Sequence, residues 1–182
     1  MRVITGTARG RNLLTLEGEE VRPTAQRIKE AIFSAIQFEV EGRRVLDLFA
    51  GSGQLGIEAL SRGAHCATFV DQNKSSIDVI GQNLKSTQLD KNTIVKNLDA
   101  MSFLATTKDV FDIAFLDPPY NRDFIEKALQ LLCKNMAKGG VIICETPFSE
   151  DLPQSVGDFS VFKEYKYGKV KITIYRENEA SE

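Results

Sequence analysis

From Arg43 onward, short apolar runs alternate with segments of helical periodicity, and this alternation constrains the fold more than any other feature. A strand, a helix and a second strand in succession pack as a parallel unit, with the helix covering one face of the sheet. Five runs read as successive strands: Val45 to Phe49, Ala67 to Val70, Thr93 to Val95, Phe111 to Leu116 and Val141 to Cys144. The segments between them, Leu55 to Arg62, Asn73 to Leu84, Ala100 to Ala105 and Asp123 to Lys134, read as helices. In the second of these, Ile77, Ile80 and Leu84 form one apolar stripe at helical spacing. Gly139-Gly140 is expected to stop the chain before the fifth strand. Phe159 to Tyr175 alternates apolar and polar residues about Gly168, as an antiparallel hairpin closing the sheet edge would. The expected architecture is α/β: a seven-stranded, mostly parallel sheet with helices on both faces and a C-terminal antiparallel hairpin.

The first 40 residues follow another pattern. Arg2 to Gly6 and Arg11 to Leu16 read as two short strands around Ala8-Arg9-Gly10, followed by a polar loop at Glu17 to Glu20. Arg22-Pro23-Thr24 then offers an extended residue, a proline and an N-cap, and Ile28, Ala31, Ile32, Ala35 and Ile36 form the stripe of a helix. Three units are expected: an extension over residues 1–40, a core over 41–176 and a frayed acidic tail over 177–182. With 182 residues the chain has the size of one domain. No apolar run approaches the roughly 20 residues of a membrane span, so no membrane association is expected. The three cysteines, Cys66, Cys133 and Cys144, lack C-x-x-C spacing and lie in apolar stretches, as reduced thiols of a cytoplasmic protein do.

Gly51-Ser52-Gly53-Gln54-Leu55-Gly56 has the spacing G-x-G-x-x-G between an expected strand and an expected helix. Such a loop lets backbone approach a ligand closely, a need shared by dinucleotide sites and S-adenosylmethionine sites. Asp47, inside the strand just before the loop, distinguishes the two. It would attract the cationic amino group of a methionine moiety and repel a pyrophosphate, which favours the methyl donor. Asp71 ends the second strand, where an acid can bond ribose hydroxyls. Asp99, with Ala100, follows the third strand and could bond an adenine amino group. All of these fall at the carboxyl ends of strands, where open parallel sheets bind ligands.

The fourth strand runs into Asp117-Pro118-Pro119-Tyr120, the most specific signal in the chain. Two prolines remove two N–H donors, leaving the Asp117 carboxylate and the Pro118 carbonyl as acceptors. Such a site holds an amino group and can aim its lone pair at an electrophile. Tyr120 offers a flat face for a base, a contact worth about 1–3 kcal/mol in single-strand binders.

These motifs, Val45-Leu46-Asp47-Leu48-Phe49-Ala50-Gly51-Ser52-Gly53 and Asp117-Pro118-Pro119-Tyr120, resemble those of class I S-adenosylmethionine-dependent methyltransferases that act on amino groups of bases. Arg2-Val3-Ile4, Arg9-Gly10-Arg11, Arg22-Pro23-Thr24, Arg27 to Ala31 and Leu55 to Ala64 narrow the resemblance to the bacterial small-subunit (16S) ribosomal RNA guanine-N2 methyltransferases, the RsmD family. The resemblance covers nearly the whole chain. It implies a Rossmann-like methyltransferase fold, with Asp117, Pro118, Pro119 and Tyr120 as the catalytic motif. Asp47, Ala50, Gly51, Ser52, Gly53, Gly56, Asp71, Asp99 and Ala100 would then form the S-adenosylmethionine site. It also implies a cytoplasmic, monomeric enzyme whose substrate is 16S ribosomal RNA, alone or within a small ribosomal subunit or its assembly intermediate. The departures are small: Asp71 stands where an acid of either length is usual, and the C-terminal end is short and acidic.

The formal net charge of −2 hides a regional pattern. Residues 1–29 hold six Lys/Arg against three Glu, residues 163–176 five against one, and residues 30–162 carry 12 against 18 Asp/Glu. Phosphate contact needs only a local basic patch. Arg2, Arg9, Arg11, Arg22, Arg27 and Lys29 are therefore the candidate RNA contacts, with Lys169 and Lys171 as further ones. No metal is required, and His65, the sole histidine, is given no role. An adenine-N6 methyltransferase fits the tetrapeptide equally well. A nicotinamide dehydrogenase would leave Asp47 and the tetrapeptide unexplained, and a silent RNA-binding module would leave the two acceptors without a purpose.

Overall fold

The computed structural model describes residues 1–16, 23–118 and 122–178. Its elements are α1 (Pro23–Ala35), β1 (Arg44–Asp47), α2 (Gln54–Ser61), β2 (Cys66–Asp71), α3 (Lys74–Thr87), β3 (Thr93–Asn97), α4 (Ala100–Thr106), β4 (Phe111–Leu116), α5 (Arg122–Leu132) with a 3₁₀ turn at Cys133–Asn135, β5 (Met136–Pro147), β6 (Ser155–Val156), β7 (Phe159–Tyr167) and β8 (Val170–Glu177). They form one sheet of order β3-β2-β1-β4-β5-β8-β7-β6. The first five positions pair in parallel and the last three antiparallel. The chain moves outward from β1 to β3 and then returns to β4, so the β1/β4 boundary is the topological switch point.

Strand alternation distributes the core between two faces. Val45, Phe69, Ile113, Phe115, Val141 and Ile143 face the N-terminal segment and α1, α2 and α3. Leu46, Leu48, Val70, Ala114, Leu116 and Ile142 face α4 and α5. Both faces are covered, which is why the central strands are apolar throughout rather than alternating.

The helices and strands start and stop within a few residues of expectation, and the larger differences are local. The sheet has eight strands rather than seven because Ser155–Val156 adds a two-residue edge. Gly139-Gly140 does not stop the chain before β5. It lies inside β5, where pairing jumps from Phe111↔Met136 to Ile113↔Val141 and the extra residues bulge outward. The N-terminal pair of strands reduces to a single bridge, Arg2↔Asn12. Helix α1 begins at Pro23, so Thr24 lies within the helix and is not its cap. Glu177 does not fray: it ends β8, and its carboxylate accepts from the Gly139 amide at 2.6 Å. The rest of the expected tail, 179–182, falls outside the described residues.

Buried polar side chains hold the N-terminal segment against α2 and α3. Glu58, fully buried, accepts from the Ile4 amide (2.8 Å), the Thr5 amide (3.0 Å) and Arg62 Nε (2.9 Å), and lies 3.3 Å from Lys29 Nζ. Ser61 Oγ accepts from the Ala8 amide and donates to the Thr5 carbonyl. Gly6 passes so close to α2 that a Cβ there would lie 1.7 Å from the Ser61 carbonyl oxygen. Only glycine fits. Val3, Ala8, Leu13, Ile28, Ile32, Phe33 and Ile36 join the same buried cluster as β1 and β4, so the extension shares its core with the sheet.

Candidate active site

The loops leaving β1, β2, β3 and β4 enclose a cavity of ≈ 480 Å³ at the carboxyl edge of the sheet, beside the switch point. This volume is within the range of small-molecule sites. Its walls include Asp47, Ala50, Gly51, Ser52, Asp71, Asp99, Ala100 and Asp117, so eight of the sequence-derived candidates meet in one place. Gly53 and Gly56 are not among the lining residues. A Cβ on Gly56 would lie 2.3 Å from Phe69 Cε1, so this glycine sets how closely α2 approaches the sheet.

Three acids of the cavity are oriented by backbone amides. Asp47 is buried, and its Oδ2 accepts from the Gly56 amide at 2.9 Å. Burial pushes its carboxyl up to about 7, and Asp71 adds to the rise while the Gly56 bond opposes it. A buried acid of this kind favours a cationic partner, which would return it to the charged form. Asp71 Oδ2 accepts from the Gly51 amide at 2.9 Å and Oδ1 from the Asn73 amide at 2.8 Å. Each oxygen keeps a further lone pair for a ligand hydroxyl. Asp99 Oδ1 accepts from the Ser102 amide at 3.0 Å and caps α4, and its bonds to Ser102 hold the carboxyl below its usual range.

Asp117 follows β4, is exposed and lines the cavity, and Pro118 is buried. Pro119 and Tyr120 lie outside the described residues.

Sequence reasoning missed several side chains. Gln54 lines the cavity, and its Oε1 is buried with no hydrogen-bond partner. That orphaned acceptor costs about 1–3 kcal/mol until a donor reaches it. Asn83 bonds Leu14 through both its amide groups and also donates to the Ser52 carbonyl at 2.9 Å. It thereby ties the N-terminal segment to the glycine loop, and Leu16 from that segment reaches the cavity wall. Glu145 ends the apolar part of β5 beside Asp117 and is half-buried, with its carboxyl raised by burial to about 7. The rule that found Asp47, Asp71 and Asp117, an acid at a strand's carboxyl end, would also have found Glu145.

Of the candidate RNA contacts, Arg2, Arg9, Arg11 and Arg27 are exposed, as is Lys169. Arg22 lies outside the described residues. Lys29 is corrected: it is 1% exposed, pairs with Glu58 and donates to the Arg2 carbonyl at 2.7 Å, so its ammonium cannot meet a phosphate. Lys171 is corrected likewise, being 3% exposed and bonded to Asp151 and Glu164. The cysteines are free thiols; Cys144 is in the core, whereas Cys66 and Cys133 are only half-buried. Burial raises all three thiols, so none is poised as a nucleophile. Among the described residues no helix is long and apolar enough to cross a membrane.

The family model described as Conserved hypothetical protein 95 matches residues 1–176. YlbH of Bacillus subtilis is 39% identical over 181 residues, covering 97% of this chain and 98% of that protein. Ribosomal RNA small subunit methyltransferase D of Escherichia coli is 34% identical over 178 residues, covering 97% and 89%. The solved structure of Escherichia coli yhhF superposes with a TM-score of 0.88 at 35% identity, over 97% of each chain. The Thermus thermophilus 16S rRNA N2 G1207 methyltransferase RsmC, solved with AdoMet and guanosine, shares the fold at 22% identity (TM-score 0.73, 90% of this chain and 45% of that one).

Proposed function

The chain belongs to the conserved hypothetical protein 95 (RsmD) family, and from that premise we propose that it methylates the N2 amino group of a guanine in 16S ribosomal RNA. The observation that carries this reading is the convergence of Asp47, the glycine loop, Asp71 and Asp117 on one cavity at the switch point of the sheet. The residues fit S-adenosylmethionine. Asp47 is a buried carboxylate suited to the donor's cationic amino-acid end, Asp71 has acceptors left for ribose hydroxyls, and Ala100 and Leu98 form an apolar wall near Asp99 for a flat base.

When bound, S-adenosylmethionine supplies a methyl group on an electrophilic sulfonium. The protein's part is to present the amine. Asp117 and the Pro118 carbonyl accept its two hydrogens, which localises the nitrogen lone pair and directs it toward the cavity. Tyr120 supports the base by stacking. Attack forms the N–C bond as the S–C bond breaks, and the amine then loses one proton, with the exposed Asp117 carboxylate as its first acceptor. The base must leave its stack to arrive here, at a cost of a few kcal/mol that is smallest in an unpaired loop.

Residues 1–40 form the RNA-contacting extension in this reading, with Arg2, Arg9, Arg11, Arg22 and Arg27 as the phosphate contacts and Lys169 adding to them. The enzyme works as a cytoplasmic monomer on rRNA or an assembling small subunit. The test is incubation of the protein with labelled S-adenosylmethionine and either free 16S rRNA or small-subunit particles from cells lacking the enzyme. Label at one RNA position is expected. Absence of label in both substrates contradicts the proposal, as does a thermal shift with NAD and none with S-adenosylhomocysteine.

A further inference from the structure

The acceptor side of the site contains a carboxylate that the reaction above leaves unused. Glu145 follows Cys144, which pairs with Leu116 in the parallel β4–β5 ladder. One step further along, Glu145 stands beside Asp117, with the strands about 4.8 Å apart. Their faces agree as well. Val141 and Ile143 on β5, Ile113 and Phe115 on β4, and Val45 on β1 all enter the cluster beneath α1 to α3, so alternation places Glu145, Asp117 and Asp47 on that one face. The cavity runs from Asp117 toward β1, β2 and β3 and stops short of Glu145. A base whose amine meets Asp117 from outside that cavity therefore lies over β4 and β5.

The Glu145 carboxylate accepts no hydrogen bond from a described residue, and burial raises it. A half-buried carboxylate without a donor among the described residues is open to one from a ligand, since burial without a hydrogen bond is unfavourable. A substrate N–H would relieve it. Guanine carries an N1–H donor next to its N2 amine, whereas adenine carries a bare N1 acceptor next to its N6 amine.

We propose that Glu145 accepts the N1–H of the guanine whose N2 amine is held by Asp117 and Pro118, and that this contact selects guanine over adenine. The proposal rests on the methyl-transfer reading above and supplies what the tetrapeptide lacks, since Asp117 and Pro118 accept equally from either amine. Opposite adenine, the Glu145 oxygen would face the N1 lone pair. A site built around a substrate N–H rejects analogues that lack it strongly, by about 10⁴-fold in favourable cases.

The experiment compares two RNA substrates, one with guanine and one with 2-aminopurine at the position the enzyme modifies. 2-Aminopurine keeps the amine at the same ring position and has no N1–H. Wild-type protein should prefer guanine in kcat/KM by about 100-fold or more, and Glu145→Gln and Glu145→Ala should reduce that preference below about tenfold. Affinity for S-adenosylhomocysteine, measured by calorimetry, should be unchanged. If Glu145→Ala does not fold, the isosteric Glu145→Gln carries the comparison. Variants that keep the wild-type preference overturn the role of Glu145 and leave guanine methylation standing. A wild-type product other than N2-methylguanine overturns the functional reading and this one with it.

Discussion

On the β1–β2–β3 half of the carboxyl edge each acid is fixed by main-chain amides: Asp47 by Gly56, Asp71 by Gly51 and Asn73, and Asp99 by Ser102. On the β4–β5 half, Asp117 is exposed at the cavity wall and is followed by a proline that brings no N–H of its own, and the Glu145 carboxylate accepts no hydrogen bond from a described residue. The difference separates two tasks. A small donor is held by groups already oriented by the fold, so little rearrangement is needed to bind it. The half that meets the base opens its Asp117 carboxylate to solvent, where hydrogen bonds formed with the reacting amine contribute to rate.

The contrast can be broken by substitution, beginning where the effect should be greatest. Asp117→Ala should lower turnover by about 100-fold or more, as loss of one preorganised catalytic hydrogen bond does, while calorimetric affinity for S-adenosylhomocysteine holds. A large loss of donor affinity would show that the two halves are not separate. Asp47→Asn keeps the size of the side chain and removes its charge, and should weaken donor binding about tenfold.

The pH dependence sharpens that second test. Because burial raises Asp47 to about 7, its protonated form favours the folded, ligand-free protein fully below the unfolded carboxyl's range, and this contribution is lost as pH rises through about 7. A cationic donor prefers the ionised form, so its affinity should strengthen over the same rise. Asp47→Asn should flatten both trends, in thermal melts and in titrations at about pH 6 and pH 8.

Asp99→Ala should lower the thermal unfolding midpoint slightly, as loss of an N-cap does, with a donor-affinity change of less than about threefold. A larger binding loss would give Asp99 a ligand contact beyond its cap. The smallest effect belongs to the extension. Arg9→Ala or Arg11→Ala should each reduce the slope of log affinity for RNA against log salt by about 0.7 and leave donor binding alone. Unchanged slopes would remove those arginines from the RNA face.

The parallel half of the fold was legible because its apolar runs and helical stripes repeat in order, and an acid after a strand is a local pattern. Hence Asp47, Asp71, Asp99 and Asp117 are readable from sequence alone, and the structure brings all four to one cavity. What was not legible depends on partners far away in sequence. Glu58 and the Ile4 amide are 54 residues apart, and Asn83 and Leu14 are 69 apart. Nothing local distinguishes the buried Lys29 and Lys171 from the exposed Arg9 and Arg11. Gly139-Gly140 carries the ordinary mark of a stop, and only pairing with β4 turns it into a bulge within a longer strand.

The central claim, that this edge presents a guanine amine to a methyl donor, is tested most directly by digesting 16S rRNA after reaction with labelled S-adenosylmethionine and identifying the nucleoside by mass spectrometry. The account predicts label in N2-methylguanosine alone, at one position. Label in N6-methyladenosine, or in no nucleoside, would contradict it.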